Sequence, residues 1–214
     1  MPDAALAALL SLTSHELRHP TGVVRGCLRT LDHDPSLNQR ARKVIGDAIR
    51  AADKLVSLLD EVGELARLTD EAVPLTLKLK SMSLRSVLQQ AVQAVELPAS
   101  HDVELDVVAD ADVRRRVDEV RMRAAFCTLI DVLARAQTGA ATIDLRLTRS
   151  KSAAYVWVTP RSLLRGKIID QPVDVARGGF GMLLPIAGAI IDAHGGKLRE
   201  RWIAGRWSGF IVRL

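Results

Sequence analysis

The side chains of this 214-residue chain best suited to chemistry stand together at Ser14-His15-Glu16-Leu17-Arg18-His19-Pro20. An imidazole titrates near neutral pH, so His15 can act as a nucleophile or move a proton. The adjacent carboxylate of Glu16 can hold or accept that proton. His19 follows one helical turn on. Two readings compete at this level. A histidine beside a glutamate is common on a solvated polar face, and the same pair is what a reacting histidine needs. Metal chemistry is less well provided for. Cys27 and Cys127 lie far apart with no CxxC or Cys/His spacing, which excludes a zinc module and a disulfide scaffold and fits a reducing compartment.

The elements that must position this segment are helical. Leu6, Leu10, Thr13, Leu17, Pro20, Val24, Cys27 and Leu31 alternate spacings of four and three, as do Ile45, Ala48, Ala52, Leu55, Leu59, Val62 and Ala66. These are heptad seams, and Asp32-His33-Asp34-Pro35-Ser36 between them supplies turn and capping residues. Two helices cannot cover seams of that length against each other alone, so pairing of two hairpins into a dimeric four-helix bundle is expected. His15 is two residues from both Thr13 and Leu17, about 200° around the helix from each, and so points away from the seam. Pro20 removes a backbone hydrogen bond and is expected to kink the helix locally.

From about residue 77 the periodicity changes. Ser83 to Val95 reads as a short amphipathic helix. Val103, Leu105 and Val107 alternate at strand period. Met122, Phe126, Leu129, Leu133 and Ala136 return to helical period. Strands are predicted over Ile143–Leu147 and Ala153–Val158, and a buried helix over Leu183–Ala193 closed by Gly195-Gly196. A final hairpin over Lys197–Ile203 and Ser208–Leu214 turns near Gly205. The fold class is therefore α+β: a helical hairpin over residues 1–70, then an α/β sandwich over 77–214.

Composition narrows the partners. Hydrophobic residues make 48% of the chain and charged residues 26%, the balance of a folded soluble protein. Residues 1–70 carry 9 basic and 10 acidic side chains, and residues 71–214 carry 21 and 15, so the net charge of +5 belongs to the second part. Such an excess attracts nucleic acid, phosphate compounds or acidic proteins. With aromatics at 3% and no recognisable nucleic-acid motif, base stacking is disfavoured and no nucleic-acid partner is expected. The longest apolar stretch, Gly181 to Ile191, contains Pro185 and is too short to span a bilayer. A cytoplasmic protein with no membrane partner is expected. Arg114-Arg115-Arg116 reads as a solvated strand edge, or as a contact for an acidic partner.

The string from Ser14 to Pro20 resembles the phosphoacceptor motif of bacterial two-component histidine kinases. The likeness continues through Gly178-Gly179-Phe180-Gly181-Met182-Leu183, then Ala193-His194-Gly195-Gly196-Lys197-Leu198, then Gly205 to Leu214. In that family such segments are the second glycine box and closing strands of the ATP-binding domain. The resemblance implies that His15 carries a phosphoryl group on a ring nitrogen, that Glu16 assists at the other nitrogen, and that Arg18 and His19 support the transfer. His19 stands where many members have threonine or asparagine, a position tied to dephosphorylation of the partner.

The resemblance is incomplete where nucleotide would bind. Thr128 and Val132 occupy the positions of two expected asparagines, and valine cannot ligate magnesium. No aspartate lies between Asp144 and Asp170, where the adenine-reading group is expected. Leu183 replaces the last glycine of the box, and only residues 159–177 separate the preceding strand from Gly178, which leaves little room for a nucleotide lid. Gly179 and Gly181 could still cradle a phosphate, or serve only close helix–sheet packing. No stably bound cofactor is expected, neither ATP nor a resident metal; the magnesium would sit on the partner.

The function these features imply is a histidine phosphotransferase, exchanging phosphate on His15 with the aspartates of response-regulator receiver domains. Two alternatives stay open: an autophosphorylating kinase with an atypical ATP site, and a non-catalytic pseudokinase scaffold.

Overall fold

The chain folds as a computed structural model that describes residues 2–69, 76–97, 101–107, 113–137, 139–150, 153–161, 167–174 and 182–214. It divides into two compact units, Met1–Leu75 and Thr76–Leu214.

The first unit is an antiparallel pair of long helices, α1 (Pro2–Asp32) and α2 (Gln39–Thr69). In the turn the Ser36 N–H donates to the Asp34 carboxylate at 2.8 Å, and Asn38 caps α2 by accepting from Ala41 N at 2.9 Å. The capping residue is thus Asn38, just beyond the segment the sequence points to. Helix α1 runs unbroken through Pro20.

The seam on α1 needs a correction. The residues turned towards α2 include Ala7 and Ser14, both buried, while Thr13, Leu17, Val24, Cys27 and Leu31 are exposed. Leu17, Val24 and Leu31, seven apart, form an apolar stripe that α2 does not cover. Val44 and Leu55 are similarly exposed on α2. The heptad pattern is real, but its α1 half points off the hairpin, because small residues suit the close approach to α2. Cys27 is therefore not a packing residue within the hairpin. Cys127 is half-buried, and its thiol lies 3.5 Å from the Ala91 carbonyl.

The second unit contains β1 (Lys80–Ser83), α3 (Leu84–Ala94), β2 (His101–Val107), β3 (Arg114–Val117), α4 (Glu119–Arg135), β4 (Ala141–Ser150), β5 (Ala153–Pro160), β6 (Ile168–Gln171), α5 (Leu183–Ala193), β7 (Lys197–Ile203) and β8 (Arg206–Arg213). Six strands form one sheet in the order β2-β4-β5-β8-β7-β6. Among the described residues only the β2–β4 pair is parallel. Strands β1 and β3 pair separately, so the arginine run 114–116 lies in a two-stranded ribbon.

Alternation along the central strands sorts the two faces of the sheet. Ile143, Leu145 and Leu147 of β4, Val156 and Val158 of β5, and Phe210 and Val212 of β8 are buried. They share one face with Leu129 and Leu133 of α4 and Ile191 of α5, and this is the core. Asp144, Arg146, Trp157 and Ile211 take the opposite face. The β7–β8 turn uses Ala204 (φ 48°) and Gly205 (φ 75°), the paired left-handed conformation of a tight hairpin.

Candidate functional site

His15 stands on the outer surface of α1. Its side chain is 82% exposed and that of Glu16 is 71% exposed, with His15 Nδ1 3.7 Å from Glu16 Oε1. That separation allows electrostatic attraction and exceeds a hydrogen bond. The neighbours of His15 fix the helix that carries it. The Ser14 hydroxyl, only 2% exposed as a residue, donates to the Leu59 carbonyl of α2 at 2.6 Å. Arg18 Nη2 lies 2.6 Å from Asp60 Oδ1, also on α2. Gly63 faces Ser14 so closely that a Cβ there would lie 3.1 Å from Ser14 Oγ. The exposed pair is thus flanked on both sides by contacts across the hairpin.

Of the residues singled out by sequence, the structure brings His15 and Glu16 together. Arg18 turns to Asp60, and His19 is exposed on the same helix. Gly179 and Gly181 lie outside the described residues. Ser14, Asp60 and Gly63 are positioning residues that periodicity reasoning passed over. Their signal was faint: a serine seven residues after Ala7, and a lone glycine within a strong helical run.

In the second unit a cleft of about 300 Å³ lies beside α4, lined by residues that include Thr128, Asp131, Arg135 and Leu183. Val132, 1% exposed, is turned into the core. The cleft's carboxylate is already engaged: Asp131 accepts from Arg135 through Nε at 2.9 Å and pairs with Nη2 at 2.8 Å. Among the described residues no group of three or more His, Cys, Asp or Glu side chains is placed to hold a metal ion.

The segment around His194 does structural work. His194 Nδ1 lies 2.7 Å from the Ile190 carbonyl, which fixes Nδ1 as the protonated nitrogen, and Nε2 accepts the Asp118 backbone N–H at 2.9 Å. This ties the end of α5 to the start of α4. Asp118 caps α4, accepting from Arg121 N at 3.2 Å and Lys78 N at 3.0 Å. Burial pushes its carboxyl up. The two backbone donors, with the charge of Arg121, outweigh burial and hold it below the usual carboxylate value. At Gly196 a Cβ would lie 2.7 Å from the Arg213 carbonyl oxygen, so glycine here serves close packing of α5 against β8.

A helical hairpin with an exposed histidine–glutamate pair, followed by a mixed sheet bearing its helices on one face, is a build this chain shares with bacterial two-component histidine kinases, the proteins it is similar to. Similar curated proteins include the phosphate regulon sensor protein PhoR of Pseudomonas aeruginosa, 26% identical over 94% of this chain and 48% of that protein. The swarming motility regulation sensor protein RssA of Serratia marcescens is 28% identical over 94% of this chain and 45% of its own length. The sensor protein DivL of Caulobacter vibrioides is 26% identical over 94% of this chain and 27% of its own. The chain spans less than half the length of these relatives. Among solved structures, full-length ShkA in complex with AMPPNP matches with a TM-score of 0.72 at 22% identity, over 96% of this chain and 45% of that one. Acinetobacter baumannii AdeS matches with a TM-score of 0.62 at 18% identity, over 94% of this chain and 96% of that one. These two share its fold. No protein-family profile matches the chain. Among the described residues no helix is long and apolar enough to cross a membrane.

Proposed function

We propose that the chain is a histidine phosphotransferase that exchanges phosphate between His15 and receiver-domain aspartates, without ATP. The observation that carries this reading is the 82% exposure of His15 on a helix clamped at Ser14 and Arg18, with Glu16 Oε1 3.7 Å from Nδ1. An incoming phosphoaspartate needs in-line access to the free ring nitrogen, Nε2. Nε2 of the neutral ring attacks phosphorus, the N–P bond forms, the acyl phosphate P–O bond breaks, and the aspartate leaves as carboxylate. The positive charge left on the ring is stabilised by Glu16, which accepts the Nδ1 proton. The receiver brings the magnesium for this step.

Two features support the absence of ATP chemistry. Val132 is buried where a magnesium ligand would be wanted, and Asp131 is held by Arg135. Leu183 lines the cleft beside Thr128, where a phosphate would need close backbone approach. The uncovered stripe of Leu17, Val24 and Leu31 supports a homodimer through the hairpin. A second reading, an autophosphorylating kinase, stands beside it because the structurally similar ShkA was solved in complex with AMPPNP. One experiment separates them. The chain is incubated with labelled Mg-ATP and, separately, with a panel of labelled phospho-receivers, with His15→Ala as control. Label acquired from a receiver and absent in His15→Ala is expected; label acquired from ATP overturns the phosphotransferase reading. Absence of label from both sources leaves the scaffold reading.

A further inference from the structure

The face of the sheet turned away from the helices holds a deeply buried arginine with no carboxylate bonded to it among the described residues. Arg201 is 3% exposed, and among the described residues neither its Nε nor its Nη1 has a hydrogen-bond partner. Its guanidinium carbon lies 6.0 Å from the centroid of the Trp157 ring. An arginine buried this deeply normally has a carboxylate against it, since an uncompensated interior charge is strongly destabilising. The acids nearby are already engaged. Arg161 takes both Asp144, at 3.0 Å, and Glu104, through a two-pronged contact that includes a 2.7 Å bond. Arg199 takes Asp170 at 3.3 Å. Glu200 accepts from Trp202 Nε1 at 3.1 Å and from Asp174 N at 3.2 Å.

The backbone turns Arg201 to this position. A register shift between Glu200 and Trp202 interrupts the β7–β8 ladder, and a bulge of this kind re-aims one side chain. The Arg201 carbonyl is anchored by the Ser208 hydroxyl at 3.1 Å. Arg201 then lines a cavity of about 390 Å³ together with Arg146, Thr148, Trp157, Thr159 and Ile168. Arg146 stands directly opposite Trp157 in the β4–β5 register. Burial, then the nearby charge of Arg146, pulls the Arg201 guanidinium below its usual value, so the two cations meet across the same space.

We propose that this cavity is a second ligand site, distinct from the His15 surface and from the cleft beside α4, and that it binds a small organic phosphate. Two guanidinium groups and two threonine hydroxyls form a donor set suited to a phosphate's oxygens. Trp157 and Ile168 give an apolar wall for the rest of the molecule, and the volume falls in the range of small-ligand pockets. The phosphate would supply the negative charge that Arg201 lacks.

The test uses the whole chain in a buffer free of phosphate and sulfate, titrated with phenyl phosphate, inorganic phosphate and phenol by calorimetry and thermal unfolding. Phenyl phosphate is expected to bind and raise Tm, and phenol to do neither. Inorganic phosphate separates the sources: binding as tight as phenyl phosphate would assign the site to free phosphate and overturn the organic ligand. Arg201→Met is expected to weaken phenyl phosphate at least about tenfold and to raise the resting Tm, since it removes an uncompensated charge. A merely structural arginine would lower it. Arg146→Met gives the same loss of binding should the first variant fail to fold. Absence of phenyl phosphate binding, or binding that survives in both variants, overturns the proposal.

Discussion

The Ser14 hydroxyl, one residue before His15, donates to the Leu59 carbonyl across the hairpin at 2.6 Å, and Gly63 on the next turn of α2 leaves room for it. Gly63→Ala brings a Cβ to 3.1 Å from Ser14 Oγ, so the Ser14 side chain must give by a few tenths of an ångström, straining its bond to Leu59. Against this, alanine gains up to about 1 kcal/mol of helix propensity. Ser14→Ala removes the clashing oxygen and about 1 kcal/mol of hydrogen bonding. The two changes should therefore be non-additive. A double-mutant cycle by urea unfolding is expected to give a coupling of about 1 kcal/mol, with Ser14→Ala relieving Gly63→Ala. Strict additivity would mean that the contact is not felt.

Glu16→Gln keeps the size of the side chain and removes its charge. Because Glu16 is 71% exposed, stability should change by less than about 0.5 kcal/mol. Transfer from phospho-receiver to His15 should slow by about 10²-fold, since the group that accepts the Nδ1 proton is gone. Rapid-quench transfer assays check this. A wild-type rate would remove Glu16 from the mechanism while leaving His15 to be judged by His15→Ala.

Asp118 predicts a pH dependence of folding. Its carboxyl is held below the ordinary value of 3.8, so the folded state favours the carboxylate more than the unfolded chain does. That contribution is fully present above pH 3.8 and is lost as pH falls through the lower folded value. Asp118→Asn keeps an oxygen acceptor at the cap and abolishes the titration. Urea unfolding across acid pH should therefore show a shallower decline in the variant. Asp118→Ala should cost about 1 kcal/mol at neutral pH through loss of the α4 cap. A variant with an unchanged acid limb would show that other carboxylates dominate it.

What could be read from sequence follows from which forces are local. Although the small residues Ala7 and Ser14, and not the large apolar seam, meet α2, the helical period of α1 is fixed by 3.6-residue geometry acting on neighbouring residues. So are α3, α4 and α5 and the alternation of β4 and β5. The run Arg114–Arg116 reads as a strand edge and is one, in β3, but its partner β1 escaped notice because a short ribbon rich in lysine and arginine buries little and shows no apolar alternation. The diversion of Arg18 to Asp60 is long-range, joining side chains of different helices. Arg201 is hidden more thoroughly still: the shift in β7 breaks the period that would have assigned its face, and Trp157 and Arg146, which share its cavity, stand far back in the chain on β5 and β4.

Gly209 is held at φ 107°, and a Cβ there would lie 2.0 Å from the Val158 carbonyl oxygen on the adjoining strand. Both backbone strain and overlap oppose any side chain. Gly209→Ala should therefore destabilise the second unit by more than about 3 kcal/mol, well beyond an ordinary substitution. Thermal unfolding checks this, with Gly205→Ala as a comparison. Gly205 also has positive φ, at 75°, but nothing lies within 4 Å of its added Cβ, so only the conformational penalty of about 1–2 kcal/mol applies. Equal losses at the two positions would show that the approach of Val158 is relaxed at little cost.

The stripe of Leu17, Val24 and Leu31 makes the last prediction. Three large apolar side chains seven residues apart, each about half exposed, are an apolar seam without a partner inside the hairpin. If two hairpins pair through it, a charge at its centre must lose its hydration in the dimer and stay solvated in the monomer. Val24→Glu, at a position 54% exposed in the single chain, should leave the helix intact, since glutamate is the better helix former. Light scattering is expected to give twice 23.3 kDa for the natural chain and 23.3 kDa for the variant, with unchanged far-UV circular dichroism. A natural chain that is monomeric at micromolar concentration would sink the dimer. A variant that stays dimeric would move the interface away from this face.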